Sequence, residues 1–284
     1  MRWHLAALRV ICVAVAVAAA VGQISDAGGV GALFDLGVSA NSLGVGGARA
    51  AFRDDAAATA LNPAGLAWVE GVEMGTLYVA QFGGVTYGAV AFSAPWVGLA
   101  ASFVDSGRIS SGGTDLRFGA QGVALAGALP LGPVAVAARW RFLHAGELLS
   151  GHGWALDAAA LVELGPVRVG AIYDALASGA MTYEGGGRET WDSSLCFGAA
   201  VTLVPIDGVG WAFTADLDGL LNGPVHVAGG LEVRFGPATA RLGWDGWGPT
   251  FGASVRVREI EVDWSCAARF DLGMSHRLSV EVLF

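Results

Sequence analysis

The sequence predicts an all-β protein: a transmembrane antiparallel β-barrel of about 14 strands with an N-terminal hatch inside its lumen. Three observations predict it. Apolar and polar residues alternate through the last third of the chain, most clearly over 258–269 and 274–284. The chain is 54% apolar and 14% charged, yet after residue 21 it contains no apolar run of the roughly 18 residues that a spanning helix requires. Connections between alternating segments are short at every second position and several of the others are long and polar, the habit of outer-membrane barrels.

The leader comes first. Arg2 and Arg9 precede a Val/Ala-rich stretch over 10–21, and small residues at 18–22 suit a signal peptidase, so 1–22 is expected to be a signal peptide. An uncleaved anchor helix is the alternative, and the stretch is short for one. Residues 23–71 do not alternate. Their glycines, among them Gly44, Gly46 and Gly47, permit close backbone packing. Gly44-Val45-Gly46-Gly47 lacks the spacing and βαβ frame of a dinucleotide loop. Asp54 to Thr59 reads as a helix start with Asp54 and Asp55 at its positive end, and Asn62-Pro63 as the turn that stops it.

The barrel is expected over 72–284, with strands near 72–81, 83–93, 96–105, 116–129, 132–143, 152–164, 166–175, 193–204, 209–218, 224–235, 237–245, 248–257, 258–269 and 274–284. Each is close to the roughly 9–11 residues with which a tilted strand crosses a bilayer. Successive side chains on a strand point to opposite faces. Val134, Val136, Ala138, Trp140 and Phe142 therefore oppose Ala135, Ala137, Arg139 and Arg141, while Ile260, Val262 and Trp264 oppose Glu259, Glu261 and Asp263. The apolar faces carry aromatics near strand ends: Trp96, Trp211, Phe235 and Phe284 toward the turns, Trp154, Trp244 and Trp247 toward the loops. Two such girdles mark a membrane barrel. A soluble barrel would reverse the faces, and these side chains are too small to fill its lumen.

Inward charges at Arg139, Arg141, Glu259, Glu261 and Asp263 either pair with one another or hold a ligand head group. Cys196 is expected to face the lumen and Cys266 the lipid, which argues against a disulfide between them. His144, Glu147, Ser150 and His152 fall in one expected loop without an orienting pair or further ligands of recognisable spacing. No catalytic residue, metal or cofactor is expected. A net charge of −9 with Lys and Arg singly placed gives no nucleic-acid partner.

The stretch from Leu36 to Ala67 carries a resemblance. A small-residue segment runs into the acidic pair Asp54-Asp55 and then Asn62-Pro63-Ala64-Gly65, just before the first strand. It resembles the N-terminal region of the FadL/PorV group of outer-membrane proteins. The resemblance implies a fourteen-stranded barrel whose N-terminal segment forms a hatch, in the outer membrane of a diderm bacterium. The modest loops here depart from fatty-acid members, whose long extracellular loops build an outer binding groove. Expected partners are outer-membrane lipid, a hydrophobic ligand, and the barrel-assembly machinery acting on the strand that ends at Phe284.

Two functions follow from that architecture. One is passive uptake of hydrophobic, fatty-acid-like molecules, which would enter from the loop side and leave sideways where hatch or strand irregularities open the wall. The glycines Gly44, Gly46 and Gly47 would then either let the hatch shift or only pack it against the wall. The other is a PorV-like platform for a secretion or surface-attachment system.

Overall fold

The computed structural model describes residues 30–53, 56–81, 85–111, 114–146, 150–206, 208–222, 224–269 and 273–284. The expected signal peptide, Asp54, Asp55 and Glu147 lie outside the described residues.

Four short helical turns come first: α1 (Ala32–Asp35), α2 (Ala40–Gly44), and the 3-10 turns η1 (Ala56–Thr59) and η2 (Pro63–Trp68). Two of the starts, those of α2 and η2, are chemically marked. The Ser39 hydroxyl accepts from the Asn41 amide at 3.1 Å, and the Asn62 side chain accepts from the Ala64 amide at 2.9 Å. Asn62-Pro63 is therefore more than the expected stop, because it also opens η2. Proline suits that first position, where its fixed φ fits and its missing N–H costs nothing.

Strands follow in chain order: β1 (Glu73–Gln81), β2 (Val85–Ala94), β3 (Val97–Asp105), β4 (Ile109–Ser111), β5 (Thr114–Leu116), β6 (Gly119–Leu131), β7 (Val134–Gly146), β8 (Gly151–Leu164), β9 (Val167–Tyr183), β10 (Arg188–Glu189), β11 (Ser194–Ile206), β12 (Val209–Asp218), β13 (His226–Phe235), β14 (Ala238–Trp244), β15 (Pro249–Val257), β16 (Ile260–Arg269) and β17 (Gly273–Leu283). Among the described residues, fourteen of them close an antiparallel barrel: β1, β2, β3, β6, β7, β8, β9 and β11 to β17, with β1 paired to β17 and β8 to β9. Their number and order match the alternation in the sequence. Two expected loops hold more structure than periodicity suggested. Ile109–Ser111 and Thr114–Leu116 pair with one another as β4 and β5, and β9 continues to Tyr183, where β10 pairs with it.

The faces are those expected. Tyr78, Phe92, Leu99, Phe103, Leu125, Trp140, Phe197, Phe251 and Trp264 are exposed on the outside, although nothing in water would leave such a belt bare. A bilayer covers it. Turn-side backbone is satisfied: the carbonyls of Trp96, Pro133, Pro166, Pro237 and Glu259 each accept from an amide of the neighbouring strand at 2.8 Å. Cys196 and Cys266 are both free and buried, Cys266 among its outward neighbours on β15 and β17.

The N-terminal segment packs against the inner wall, because the wall omits side chains where they would collide. A Cβ at Gly170 would lie 1.7 Å from the Ala50 carbonyl oxygen, one at Gly98 1.9 Å from the Thr59 hydroxyl, and one at Gly243 2.3 Å from the Gly46 amide. Gly46 itself has φ +84° and would meet the Trp244 carbonyl at 2.2 Å, so both its backbone and its space demand glycine. Gly44 likewise abuts Gly252 and Arg241, whereas nothing approaches within 4 Å of a Cβ at Gly47.

Gly170→Ala is expected to destabilise the refolded barrel by roughly 1–3 kcal/mol, the range for overpacking a filled interior. Gly127→Ala, whose Cβ would meet only a carbonyl at 3.9 Å, is the near-neutral control. Urea unfolding midpoints in detergent measure both.

Candidate functional site

Two kinds of wall surround the N-terminal segment. From β7 round to β17 the inward side chains are heavily charged. Arg139 and Asp157, 2% and 0% exposed, pair at 2.7 Å; Arg141 reaches Asp157 at 2.7 Å, and Arg139 reaches Asp174 at 2.9 Å. Carboxylates held this deep are stable only when their lone pairs are filled. Asp157 therefore also accepts the Ala175 amide at 2.8 Å, where β9 bulges. A second cluster joins Arg241 to Asp263 at 3.1 Å and to Glu232 at 2.8 Å, with Glu261 at 3.7 Å.

The segment is tied into this charged wall. Arg49 bridges Asp174 at 2.6 Å and Asp218 at 2.7 Å, and the Arg49 and Ala50 amides donate to Asp216 at 2.5 and 2.7 Å. Arg53 pairs with Glu163, Arg139 donates to the Ala60 carbonyl, and Asn62 donates to the Ala50 carbonyl. On the far side Arg277 donates to the Leu36 carbonyl at 2.8 Å, and the Ala40 amide donates to Ser279 at 3.0 Å.

β1, β2, β3 and β6 present a different inner surface. Leu77, Val79, Tyr87, Ala91, Ala100, Ala120 and Ala124 are buried there, and among the described residues the one inward charge on these strands is Glu73, by the turns. Against it pack Val38, Ala57 and Leu61 with Phe34 and Phe52 beside them. Contacts across this boundary are chiefly apolar, joined by neutral hydrogen bonds from Tyr87 to the Gly37 carbonyl at 2.5 Å and from Ser93 to the Ala56 carbonyl at 3.1 Å. A cavity of about 10 Å³, room for roughly one water, lies on the boundary between Phe34, Tyr87, Ala124 and Arg139.

Each end differs in character. Toward the loops the Arg141 guanidinium lies 5.3 Å from the Phe34 ring and 5.1 Å from that of Trp191, which folds inward from the coil before β11. Toward the turns a vestibule of about 490 Å³ opens between Trp68, Glu73, Arg258, Glu259, Glu261 and Phe284.

Of the residues expected to matter, Arg139, Arg141 and Asp263 sit in the buried networks and Glu261 at their edge. Glu259 is exposed in the β15–β16 turn, because β16 begins at Ile260, two residues later than the alternation suggested. Asn62 and Pro63 fix η2; Ala64 is fully buried, and a Cβ at Gly65 would meet Arg53 Cα at 2.9 Å. The sequence reading missed Arg49, a lone cation without periodicity. The inward acids Asp216 and Asp218, which have no cation on the inner face of β12, were the signal that could have found it. His144 and His152 do not share a loop: they are register partners on β7 and β8.

No family model matches the chain, and no curated protein matches it. Solved structures do. The Pseudomonas putida toluene transporter TodX matches with TM-score 0.59 at 13% identity, covering 88% of this chain and 98% of that one. CymD, described as a monoaromatic hydrocarbon channel, matches with TM-score 0.58 at 16% identity over 88% of this chain and 98% of its own. The Ralstonia pickettii toluene transporter TbuX matches with TM-score 0.53 at 15% identity over 87% and 98%. The chain has the fold of these proteins, and its resemblance to the FadL group holds at that level.

Arg49→Ala removes the cation shared by Asp174 and Asp218. It is expected to cost about 2–3 kcal/mol, as for a charged hydrogen bond lost from a largely desolvated site. Limited proteolysis should then cut within 30–69, where the parent resists. Arg256→Ala, at a rim pair whose arginine is 60% exposed, should leave the pattern unchanged.

Proposed function

We propose that the chain is an outer-membrane channel for passive passage of hydrophobic small molecules, with the N-terminal segment as its hatch. The observation that carries this reading is the division of the lumen. The hatch is held to the β7–β17 wall by ion pairs and to the β1–β6 wall mainly by apolar contact. A hydrophobic solute that parts the second boundary breaks few hydrogen bonds and exchanges one apolar neighbour for another. The same passage along the charged wall would strip partners from buried ions, each at a cost of several kcal/mol.

Polar solutes are excluded by the same arrangement, since the residues packed across the boundary are chiefly apolar. The likeness to toluene transporters and a monoaromatic hydrocarbon channel supports the same solute class. β3 pairs with β2 and β6 without a register shift, and the breaks in pairing fall at β8–β9 and near the turn-side end of β11. The apolar boundary therefore leads along the barrel toward the turn-side vestibule, not to the sideways exit that wall irregularities suggested. Lipid surrounds the outer belt, β17 with Phe284 is the strand offered to the assembly machinery, and conduction requires no chemical step.

The test is uptake of a fluorescent long-chain fatty acid, and separately of a small sugar, into liposomes containing the refolded barrel. Hydrophobe uptake well above empty liposomes with negligible sugar flux is the expected result. A barrel passing neither compound would support a platform for protein partners instead. A Gly75→Cys, Ala56→Cys double variant tests the route, because a Cβ at Gly75 lies 3.1 Å from that of Ala56 across the boundary. Oxidation should cut hydrophobe flux at least fivefold and dithiothreitol should restore it; flux indifferent to the cross-link places the route elsewhere.

A further inference from the structure

His144 and His152 stand directly opposite one another on β7 and β8, both exposed on the outer face. Their pairing type follows from the turn below. The Glu163 amide donates to the Pro133 carbonyl, so these opposed residues form a hydrogen-bonded pair. The β7–β8 register runs without a shift from Val134↔Val162 to Ala145↔Gly151, so hydrogen-bonded pairs fall at odd residues of β7. His144 is even. It therefore occupies a non-hydrogen-bonded pair with His152, the kind whose side chains come closest, with Cβ atoms about 4.5–5.5 Å apart.

Height matters as much as spacing. His144 lies ten residues beyond Val134, about 33 Å of strand, which at a tilt near 40° is about 25 Å of height. That equals the height of the apolar band of such barrels, so the pair sits at its loop-side edge, just above Phe142 and Trp154 and open to water. Gln121 flanks His144 and Thr182 flanks His152 as the next register partners, so no acidic side chain lies in the row beside the pair.

We propose that His144 and His152 form a two-imidazole site for a divalent transition metal, Cu²⁺ or Zn²⁺, at the outer rim. Neutral imidazole is the preferred side-chain donor for these ions, and two from adjacent strands supply a chelate whose other positions water fills. The rings lean apart in the structure: His152 stacks at 6.5 Å on Phe142, and His144 Nε2 points toward Gly146. Rotation about χ1 on an exposed face turns both toward one ion. Bound metal fastens the loop-side ends of β7 and β8 to one another, directly outside the Arg141 and Trp191 contact.

The experiment uses the untagged full-length barrel in detergent, titrated with Cu²⁺ or Zn²⁺ alone by calorimetry. One ion per barrel is expected, with a Cu²⁺ electron paramagnetic resonance spectrum showing two nitrogen ligands. His144→Ala and His152→Ala should each weaken binding at least tenfold and reduce the spectrum to one nitrogen. His226→Ala and His276→Ala, at histidines that stack on Trp247 and Trp264, should change neither. Absence of binding, or binding that survives either rim substitution, overturns the proposal. Both rim histidines are exposed, so the variants are expected to fold, which an unchanged urea midpoint verifies. Hydrophobe uptake plays no part in these readouts, so this site and the conduction reading stand or fall separately.

Discussion

Everything in this molecule depends on closing a sheet in a medium that offers no hydrogen bonds. An unpaired strand edge in hydrocarbon leaves a row of amides and carbonyls without partners, each costing several kcal/mol. Pairing β1 with β17 removes the edge, and closure creates an interior that must then be filled. Fourteen strands enclose more space than alanine, serine and glycine side chains can occupy. The N-terminal segment fills it, and the wall's missing Cβ atoms at Gly98, Gly170 and Gly243 are the counterpart of that filling.

The filling is asymmetric in its chemistry. Charge pairs are directional and costly to separate, so Arg49, Arg53 and Arg139 fix where the segment sits. Apolar contact is non-directional and tolerates replacement of one neighbour by another. A single segment thus has one side that specifies position and another that can yield. That contrast, rather than any pocket, is what the proposed conduction route rests on.

The barrel was largely legible in the sequence because a period of two is strict: Arg139 and Arg141 could lie inside only if Trp140 and Phe142 lay outside. The segment was less legible. It lacks a period, so Arg49, which bonds to β9 and β12 across more than a hundred residues, carried no local sign of its partners. Trp191 was unreadable for another reason, since an aromatic in a polar loop looks the same whether it turns toward water or into a lumen. The two histidines were misplaced by a boundary: β7 and β8 extend to Gly146 and Gly151, which converts loop neighbours into strand partners.

One feature of the interior bears on the order in which the molecule is built. α2 lies against β15, β16 and β17, where the Thr250 hydroxyl donates to the Gly44 carbonyl, the Ala40 amide donates to Ser279, and Arg277 donates to the Leu36 carbonyl across separations of 206 to 241 residues. A closed ring cannot be threaded afterwards by a segment bonded to so many of its strands. The earliest part of the chain must therefore already be in place when the last strands arrive, and it offers them a surface on which to align before they meet β1. The segment is then a mandrel as well as a filling. Contacts spanning nearly the whole chain form slowly, so the seam between first and last strands is the step at which folding waits.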